Sequence, residues 1–265
     1  MTEEQAGPEK ETRFFPDIQE VPTDAPLKWL KMGWEDMKAC PRASLFYGLC
    51  FVVGGYVMIF SLRDAPEYIA ASITGFVILG PFLALGLYEL SAQRERGEKC
   101  RLRPSLMACR KNVGNMAVFA IILLVVYLGW ARASVLVFAV FYSGELPTMN
   151  ELFKHLIMTE QLSFLLVYFG VGAIFALIIF GISLISIPLI KDKQMDAFTA
   201  AIASVRALLM NPTPMIVWSG LITLLSLFGI ATLLVGTLIA GPLLGHATWH
   251  AYRDLAGTSP KAESS

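Results

Sequence analysis

The sequence predicts an all-α polytopic membrane protein in which six transmembrane helices form three pseudo-repeats. Hydrophobic residues make up 55% of the chain, charged residues only 16%, and the mean hydropathy is +0.60. These values are too apolar for an ordinary soluble domain. Long apolar runs also alternate with charged loops, and two of these runs resemble each other. Each repeat is predicted to be an interfacial amphipathic helix followed by a helical hairpin.

Residues 1–25 are predicted to form a disordered acidic tail, because they are rich in acids and proline and lack helical periodicity. They also lack the apolar core of a signal peptide. The apolar residues of this tail could dock on a partner, or the tail could rest on its own membrane domain. These residues are Phe14, Phe15, Pro16, Ile18 and Val21. The six-span membrane domain is predicted over residues 26–256, with a disordered C-terminal tail over 257–265.

A short amphipathic helix is predicted to begin at Pro26 and to end before Pro41, because apolar and charged residues alternate there at helical spacing. The apolar positions are Leu27, Leu30, Trp34 and Met37. The charged positions are Lys28, Lys31, Glu35 and Lys38. A helix with this pattern suits the surface of a bilayer.

Six apolar stretches have about the length of 20 residues that crosses roughly 30 Å of hydrocarbon. The predicted spans are 44–61, 68–90, 116–142, 162–190, 215–230 and 231–249. No charged residue lies between Met215 and Leu244, so this long run must contain a hairpin turn, which we expect near Gly229. Pro188 is predicted to break the fourth span.

The positions of lysine and arginine predict that both termini face the cytoplasm, because positive residues accumulate in cytoplasmic loops. The N-terminal segment carries six, the loop over 91–115 carries seven, the loop over 191–214 three and the C-terminal tail two. The opposite side carries only Arg63 and Lys154, and Arg132 lies within a span. The formal net charge of zero gives no reason to expect a nucleic acid as partner.

The repeat is defined by two apolar stretches that share a Gly-Pro break. Residues 75–91 superimpose on residues 236–252 after a shift of 161 positions (236 minus 75). The matched pairs include Gly80 with Gly241, Pro81 with Pro242, Tyr88 with Trp249, and Glu89 with His250. Repeats of this kind occur in transporters, but they also arise when a stable module is duplicated.

A helix predicted over 195–210 mirrors the N-terminal amphipathic helix, since Asn211-Pro212 follows it as Cys40-Pro41 follows the first. Its apolar face comprises Phe198, Ala201, Ile202, Val205, Leu208 and Leu209. Residues 103–115 offer a weaker middle counterpart. The sequence therefore predicts three units.

Three short segments of the sequence are distinctive. They are APLKWL at 25–30 with GWED at 33–36, GP at 80–81 with YEL at 88–90, and GHATWHAYRDL at 245–255. On these segments, and over residues 18–256, the chain resembles bacterial integral membrane proteins of the domain of unknown function 2189 family. The resemblance implies an inner-membrane location and brings no established activity. Some members carry a cytochrome-c-oxidase-like label.

The three histidines are too few to bind the haems and copper of a catalytic oxidase subunit. His155 is predicted in an external loop, whereas His246 and His250 lie at the cytoplasmic end of the last span. These two share a helix face and, with Glu89, could hold a metal. Alternatively, His250 and Glu89 pair with each other or bind lipid headgroups, and His246 hydrogen-bonds to a neighbouring helix. We expect no metal and no other cofactor.

Five further residues are candidates for function or for packing: Gly80, Pro81, Gly241, Pro242 and Arg132. The Gly-Pro pairs could line a cavity in which freed carbonyls meet a polar solute, or they could simply allow helices to pack closely. Arg132 is predicted near the far interface, where it would anchor the helix beside Tyr127 and Trp130.

The sequence offers no recognisable catalytic constellation, because HExxH, GxSxG and Walker motifs are absent and no acid lies at the centre of a span. The four cysteines lack CxxC spacing, so neither zinc nor a disulfide is expected. We expect a non-enzymatic protein in contact with the lipid bilayer, serving as accessory or assembly partner of a larger membrane complex, with a membrane-protein partner or a second copy. The alternative is a transporter of small solutes or lipids that uses the broken second and sixth spans. A cofactor-binding redox protein ranks third.

Overall fold

The computed structural model describes residues 16–64, 83–141 and 162–258, and these are helices joined by turns, as the all-α prediction requires. The helices are α1 (Ala25–Ala39), α2 (Pro41–Asp64), α3 (83–95 in its described part), α4 (Leu102–Leu106), a 3-10 turn (Ala108–Lys111), α5 (Val113–Phe141), α6 (Leu162–Ser183), α7 (Ser186–Asp192), α8 (Ala197–Met210), α9 (Pro212–Ala231) and α10 (Thr237–Leu255). His155 and most of the predicted second span, with Gly80 and Pro81, lie outside the described residues.

Four helical stretches among the described residues are long and apolar enough to cross a membrane. They are Pro41–Phe60, Val113–Phe141, Leu162–Asp192 and Pro212–Ala231. They coincide with the predicted first, third, fourth and fifth spans. Helix α10, the predicted sixth span, is not among them, because the polar and ionisable residues of its C-terminal half lower its mean hydropathy. The described part of the chain thus supports four spans by length and composition.

The hairpin between α9 and α10 lies at residues 232–236, slightly later than the turn expected near Gly229. Leu233 and Leu234 adopt left-handed backbone conformations there, with φ of 53° and 67°. The Thr232 hydroxyl closes the turn, because it accepts a hydrogen bond from the Gly236 N–H and donates one to the Phe228 carbonyl, both at 2.8 Å. The turn therefore forms where a side chain satisfies the freed backbone groups.

The fourth predicted span is interrupted, as Pro188 led us to expect, but the interruption lies between α6 and α7, upstream of the proline. A proline ring clashes with the carbonyl four residues earlier, which here belongs to Leu184. Ser204 of α8 satisfies the backbone at this point. Its hydroxyl donates to the Gly181 carbonyl at 2.6 Å and accepts from the Ile185 N–H at 3.2 Å.

Helix α10 occupies the centre of the described structure, and α1, α2 and α9 all pack against it. Glycines permit the close approach of two of these neighbours. A Cβ on Gly33 of α1 would lie 2.7 Å from the Ala247 backbone nitrogen, and a Cβ on Gly241 would lie 2.7 Å from the Phe51 ring of α2. Small residues at helix crossings are the usual packing device in membrane proteins.

Both interfacial helices expose large apolar residues, while α1 also buries Trp29 and Met37 and α8 buries mainly small residues. In α1, Trp29 and Gly33 are buried while Leu27 and Trp34 are exposed. In α8, the buried face is formed by Ala197, Ala200, Ala203, Ser204 and Ala207. The exposed face of α8 includes Phe198, Ile202 and Leu209. The apolar faces identified in the sequence are thus largely outward faces, as a lipid-bordered surface allows.

Residues 16–24, the described part of the predicted N-terminal tail, lie against the end of the helical domain. The Gln19 N–H donates to the Leu255 carbonyl at 2.8 Å. The Asn211 side chain accepts from the Val21 N–H at 2.8 Å and donates to the Gln19 carbonyl at 3.1 Å. Ile18 is buried. These contacts agree with the alternative prediction, in which the tail rests on its own membrane domain.

Candidate functional site

A buried polar network joins four helices where α10 meets the start of α2. Its members are Asp36 of α1, Ser44 of α2, Ser91 and Arg94 of α3, and His246 and His250 of α10. Each of these side chains contacts at least one other member. In sequence, the contacting pairs are up to 214 residues apart. This network is the candidate functional site.

His246 is fully buried at the centre of the network, between two hydroxyl groups. Its Nε2 lies 2.9 Å from Ser44 Oγ and its Nδ1 lies 2.7 Å from Ser91 Oγ. The Ser91 hydroxyl also reaches the Asp36 carboxylate, which can only accept. If Ser91 donates to Asp36, it accepts from the ring Nδ1–H, and His246 Nε2 accepts from Ser44. That arrangement puts the ring proton on Nδ1, whereas the two distances to the serine oxygens are compatible with either tautomer.

Asp36 connects the buried core of the network to its outer edge. Its carboxylate accepts a hydrogen bond from His250 Nε2 at 2.9 Å and forms an ion pair with Arg94. Burial acts to raise the pKa of Asp36, but the hydrogen bonds from His250, Ser91 and Arg94 outweigh it and hold this pKa below its usual value. The ionised carboxylate thereby fixes α1 against α3 and α10.

A second polar cluster lies beside Trp249 of α10. Glu89 forms ion pairs with Lys191 at 2.8 Å and with Arg96 at 2.9 Å. The Lys191 ammonium also lies 4.6 Å from the centre of the Trp249 ring, within cation–π range. On the other side, Tyr88 stacks on Trp249 with ring centres 6.5 Å apart. These contacts hold α7 and α3 to the central helix.

The structure separates the three residues considered as metal ligands. His246 is held by the two serines, His250 by Asp36, and Glu89 by Lys191 and Arg96. Among the described residues, no group of three or more His, Cys, Asp or Glu side chains is placed to hold a metal ion. His246 does hydrogen-bond to neighbouring helices, which was the alternative interpretation. His250 and Glu89 do not pair with each other. His250 pairs with Asp36, and Glu89 pairs with Lys191 and Arg96.

The remaining described candidates occupy packing and surface positions. Pro242 lies inside α10 and is buried, and Gly241 lies directly against Phe51 of α2. A side chain therefore fills the space beside this Gly-Pro break. Arg132 lies on the exposed side of α5, and the rings of Tyr127 and Trp130 lie 6.1 Å apart one turn before it.

The structure joins Cys40 and Cys100 in a disulfide, with their Cα atoms 5.6 Å apart. The sequence analysis expected no disulfide, and that expectation is wrong for this pair. Spacing along the chain could not identify the bond, because the two cysteines are 60 residues apart and meet only when α1 packs beside the loop after α3.

Sequence analysis missed Asp36, Ser44 and Ser91, which carry most of the network. One signal was present. Asp36 lies three residues after Gly33 and seven after Trp29, and therefore on the same helix face as these buried residues. A lone acid on the packing face of a helix indicates a buried partner. The two serines gave no such signal, because single serines in apolar runs usually reflect packing.

The hydroxyl and imidazole groups at the centre of this network are closed to solvent. Ser44 and His246 are 0% exposed and Ser91 is 1% exposed. Among the described residues, every buried side-chain nitrogen or oxygen has a hydrogen-bond partner. Although serine, histidine and aspartate occur together here, a substrate has no access to the serine oxygens. The polar groups of this network lock helices together, in a chain whose described part holds four helical stretches long and apolar enough to cross a membrane.

Residues 69–192 match the model of one protein family, described as predicted integral membrane protein (DUF2189). The match confirms the family resemblance seen in the sequence. Of the three distinctive segments, the one with Gly80-Pro81 lies within the matched range. No curated protein and no solved structure matches the chain.

Proposed function

We propose that this chain is a non-enzymatic integral protein of the bacterial inner membrane that serves as an accessory or assembly partner of a larger membrane complex. The observation that carries the proposal is the closed polar network. Its hydroxyl and imidazole groups bond to one another and fix α1, α2, α3 and α10 into one unit. Such a unit suits the presentation of a constant surface to a partner.

The surface that supports this role lies on α1, outside the four candidate spans. Leu27 and Trp34 are 57% and 42% exposed, and Lys31 and Lys38 lie on the same side of the helix. Tryptophan is enriched among residues that dominate binding energy at protein interfaces. A partner subunit with an apolar helix and acidic residues near the membrane surface would complement this face.

The proposal includes six spans in three repeats, with both termini in the cytoplasm. Helix α10 has 19 residues, or about 28 Å at 1.5 Å per residue, which is close to the hydrocarbon thickness. Tyr88 and Trp249, which the repeat makes equivalent, stack on each other, so the two repeat-related helices meet at matching positions. Reporter fusions after residues 64, 141 and 258 test this topology. Six spans place the fusions after residues 64 and 141 in the periplasm and the fusion after residue 258 in the cytoplasm. The topology fails if the fusion after residue 141 reports the cytoplasm, as four spans alone would require, or if the fusion after residue 258 reports the periplasm.

Native mass spectrometry of the protein extracted from its own membrane in mild detergent tests the accessory role. We expect a stoichiometric protein partner that is lost from Trp34→Ala. The partner should be retained in Leu136→Ala, which removes an exposed apolar side chain from the candidate span α5. A lone chain in the parent protein, or equal partner loss in both variants, would refute the accessory role.

A transporter of small solutes or lipids is the second candidate, and one observation favours the lipid form. An apolar cleft of about 630 Å³ lies between α6, α8 and α9, lined by Phe180, Leu208 and Met215 among others. Its size and lining suit an acyl chain. The Gly241-Pro242 break lends less support, since Phe51 packs against it. Lipid exchange in proteoliposomes that is lost in Ala176→Phe, which would fill the cleft, would establish this role.

A further inference from the structure

The disulfide partners lie at a joint of the structure. Cys40 caps the end of α1, directly precedes the first residue of α2, and is 3% exposed. Cys100 lies in the loop at 96–101 that follows α3, and it is partly exposed. The bond therefore ties this loop to the joint between α1 and α2. Of the two cysteines, Cys100 is the more exposed.

Contacts other than the disulfide keep the two cysteines together. The Arg101 N–H donates to the buried Gln93 side chain at 2.8 Å, which anchors the loop next to Cys100. The Cys40 N–H donates to the Asp36 carbonyl and the Cys40 carbonyl accepts from the Ser44 N–H, both at 2.9 Å. Two thiols held in this way stay adjacent after reduction, so the bond can re-form.

The charges around the pair place it on the side predicted to be cytoplasmic. The loop over 91–115 carries seven lysines and arginines, and Cys100 lies between Lys99 and Arg101. In a reducing cytosol, structural disulfides are rare, and those that form are usually transient or redox-sensing. Neighbouring cations also favour the thiolate, which is the reactive form of cysteine.

We propose that Cys40 and Cys100 form a reversible thiol–disulfide site that exchanges with low-molecular-weight thiols of the glutathione class. The proposal rests on the orientation given under the proposed function. It extends that function, because Cys40, at the α1–α2 joint, lies in the chain between Asp36 and Ser44 of the polar network. The disulfide therefore connects the 96–101 loop to a segment that the network holds. Oxidation fastens the 96–101 loop covalently to this joint, and reduction leaves the loop held by its hydrogen bonds alone.

The exchange is balanced in two steps. In reduction, the thiolate of one glutathione attacks Cys100 Sγ, the bond to Cys40 breaks, and Cys40 leaves as a thiolate that takes up a proton. A second glutathione thiolate then attacks the glutathione sulfur of the mixed disulfide. Cys100 leaves as a thiolate and is protonated, and glutathione disulfide forms. Oxidation is the reverse, with glutathione disulfide as the two-electron acceptor.

The test counts free thiols in the folded full-length protein. Purified protein in mild detergent is incubated with excess reduced or excess oxidised glutathione, quenched in acid, denatured, and labelled with a polyethylene-glycol maleimide. We expect two more labels per chain after reduced glutathione than after oxidised glutathione. In Cys100→Ser this difference should vanish, because Cys40 is then labelled in both buffers. The control variant Cys50→Ser, which changes a free cysteine, should keep the difference of two labels. An identical label count in both buffers would overturn the proposal.

A second measurement separates failure of this proposal from failure of the orientation. A membrane-impermeant reductant is added to inverted and to right-side-out membrane vesicles, and the labels are counted as before. We expect the two thiols to appear only in inverted vesicles. Their appearance in right-side-out vesicles would overturn both the orientation and the cytosolic redox site. If glutathione does not reduce the bond, and the impermeant reductant exposes the two thiols only in inverted vesicles, the redox site is overturned while the orientation stands.

Discussion

The contact between Gly33 and Ala247 determines how closely α1 lies on α10, and Gly33→Ala tests it. The added Cβ would lie 2.7 Å from the Ala247 nitrogen and 3.0 Å from the Ala247 Cα. These are backbone atoms, which cannot rotate away as a flexible side chain can. To reach 3.4 Å, where ordinary contact begins, α1 must move by about 0.7 Å (3.4 minus 2.7).

That displacement also affects hydrogen bonds across the same interface. The bond between His250 Nε2 and Asp36 measures 2.9 Å, and adding the full 0.7 Å would give 3.6 Å, beyond hydrogen-bonding distance. Overpacking costs about 1–3 kcal/mol, and alanine recovers up to about 1 kcal/mol through its helix propensity. With a weakened hydrogen bond included, we expect the free energy of unfolding to fall by about 2 kcal/mol. The melting temperature should fall by about 4–8 °C.

Thermal unfolding of the purified protein in detergent, followed by tryptophan fluorescence, measures this effect. The signal is suited to the interface, because Trp29 of α1 packs edge-on against Trp218 with ring centres 5.6 Å apart. The matched control is Gly220→Ala, since a Cβ there meets no atom within 4 Å and should leave the melting temperature equal or higher. Equal melting temperatures for the two variants would refute the packing argument.

Three further predictions concern the polar contacts. Asp36→Asn should lower the unfolding free energy by about 2–3 kcal/mol in thermal or denaturant unfolding, because Arg94 loses its buried partner. Asp24→Asn, whose ion pair is exposed, should change little, and equal effects would count against the network. Because folding lowers the pKa of Asp36, its stabilisation is complete above its unfolded pKa of about 3.9 and is lost as the pH falls through the lower folded value. The difference between wild type and Asp36→Asn should therefore hold from pH 7 down to about pH 5 and shrink towards pH 3 and below. Asn211→Ala should accelerate proteolytic cleavage within 16–24 by at least about tenfold, since two hydrogen bonds to that segment are lost, and an unchanged cleavage rate would contradict the docking.

The sequence predicted the helices and their order well, but it assigned the packing faces poorly. Apolar runs located the spans, because the length needed to cross a bilayer is a property of consecutive residues. In α1, the pattern drew attention to Leu27 and Trp34, which face outward. Gly33 and Asp36, which hold the helix in place, were not singled out for packing. In a membrane protein, large apolar residues border lipid as readily as protein, so hydrophobicity does not reveal which face packs.

The candidate site was found in part. The repeat drew attention to Glu89, His246 and His250, and the structure places all three in polar contacts around α10. It did not predict their partners. Those partners depend on which helices lie side by side, and close glycine contacts such as Gly33 with Ala247 decide that arrangement.

The sequence by itself determined that this is a helical membrane protein and where several of its apolar helices lie. Composition and periodicity carry that information, because the bilayer selects length and polarity along the chain. Only the tertiary structure decided that His246 would lie between Ser44 and Ser91, that Asp36 would meet Arg94, and that Cys40 would bond to Cys100. These pairs are 58 to 202 residues apart, and such contacts arise only when helices dock.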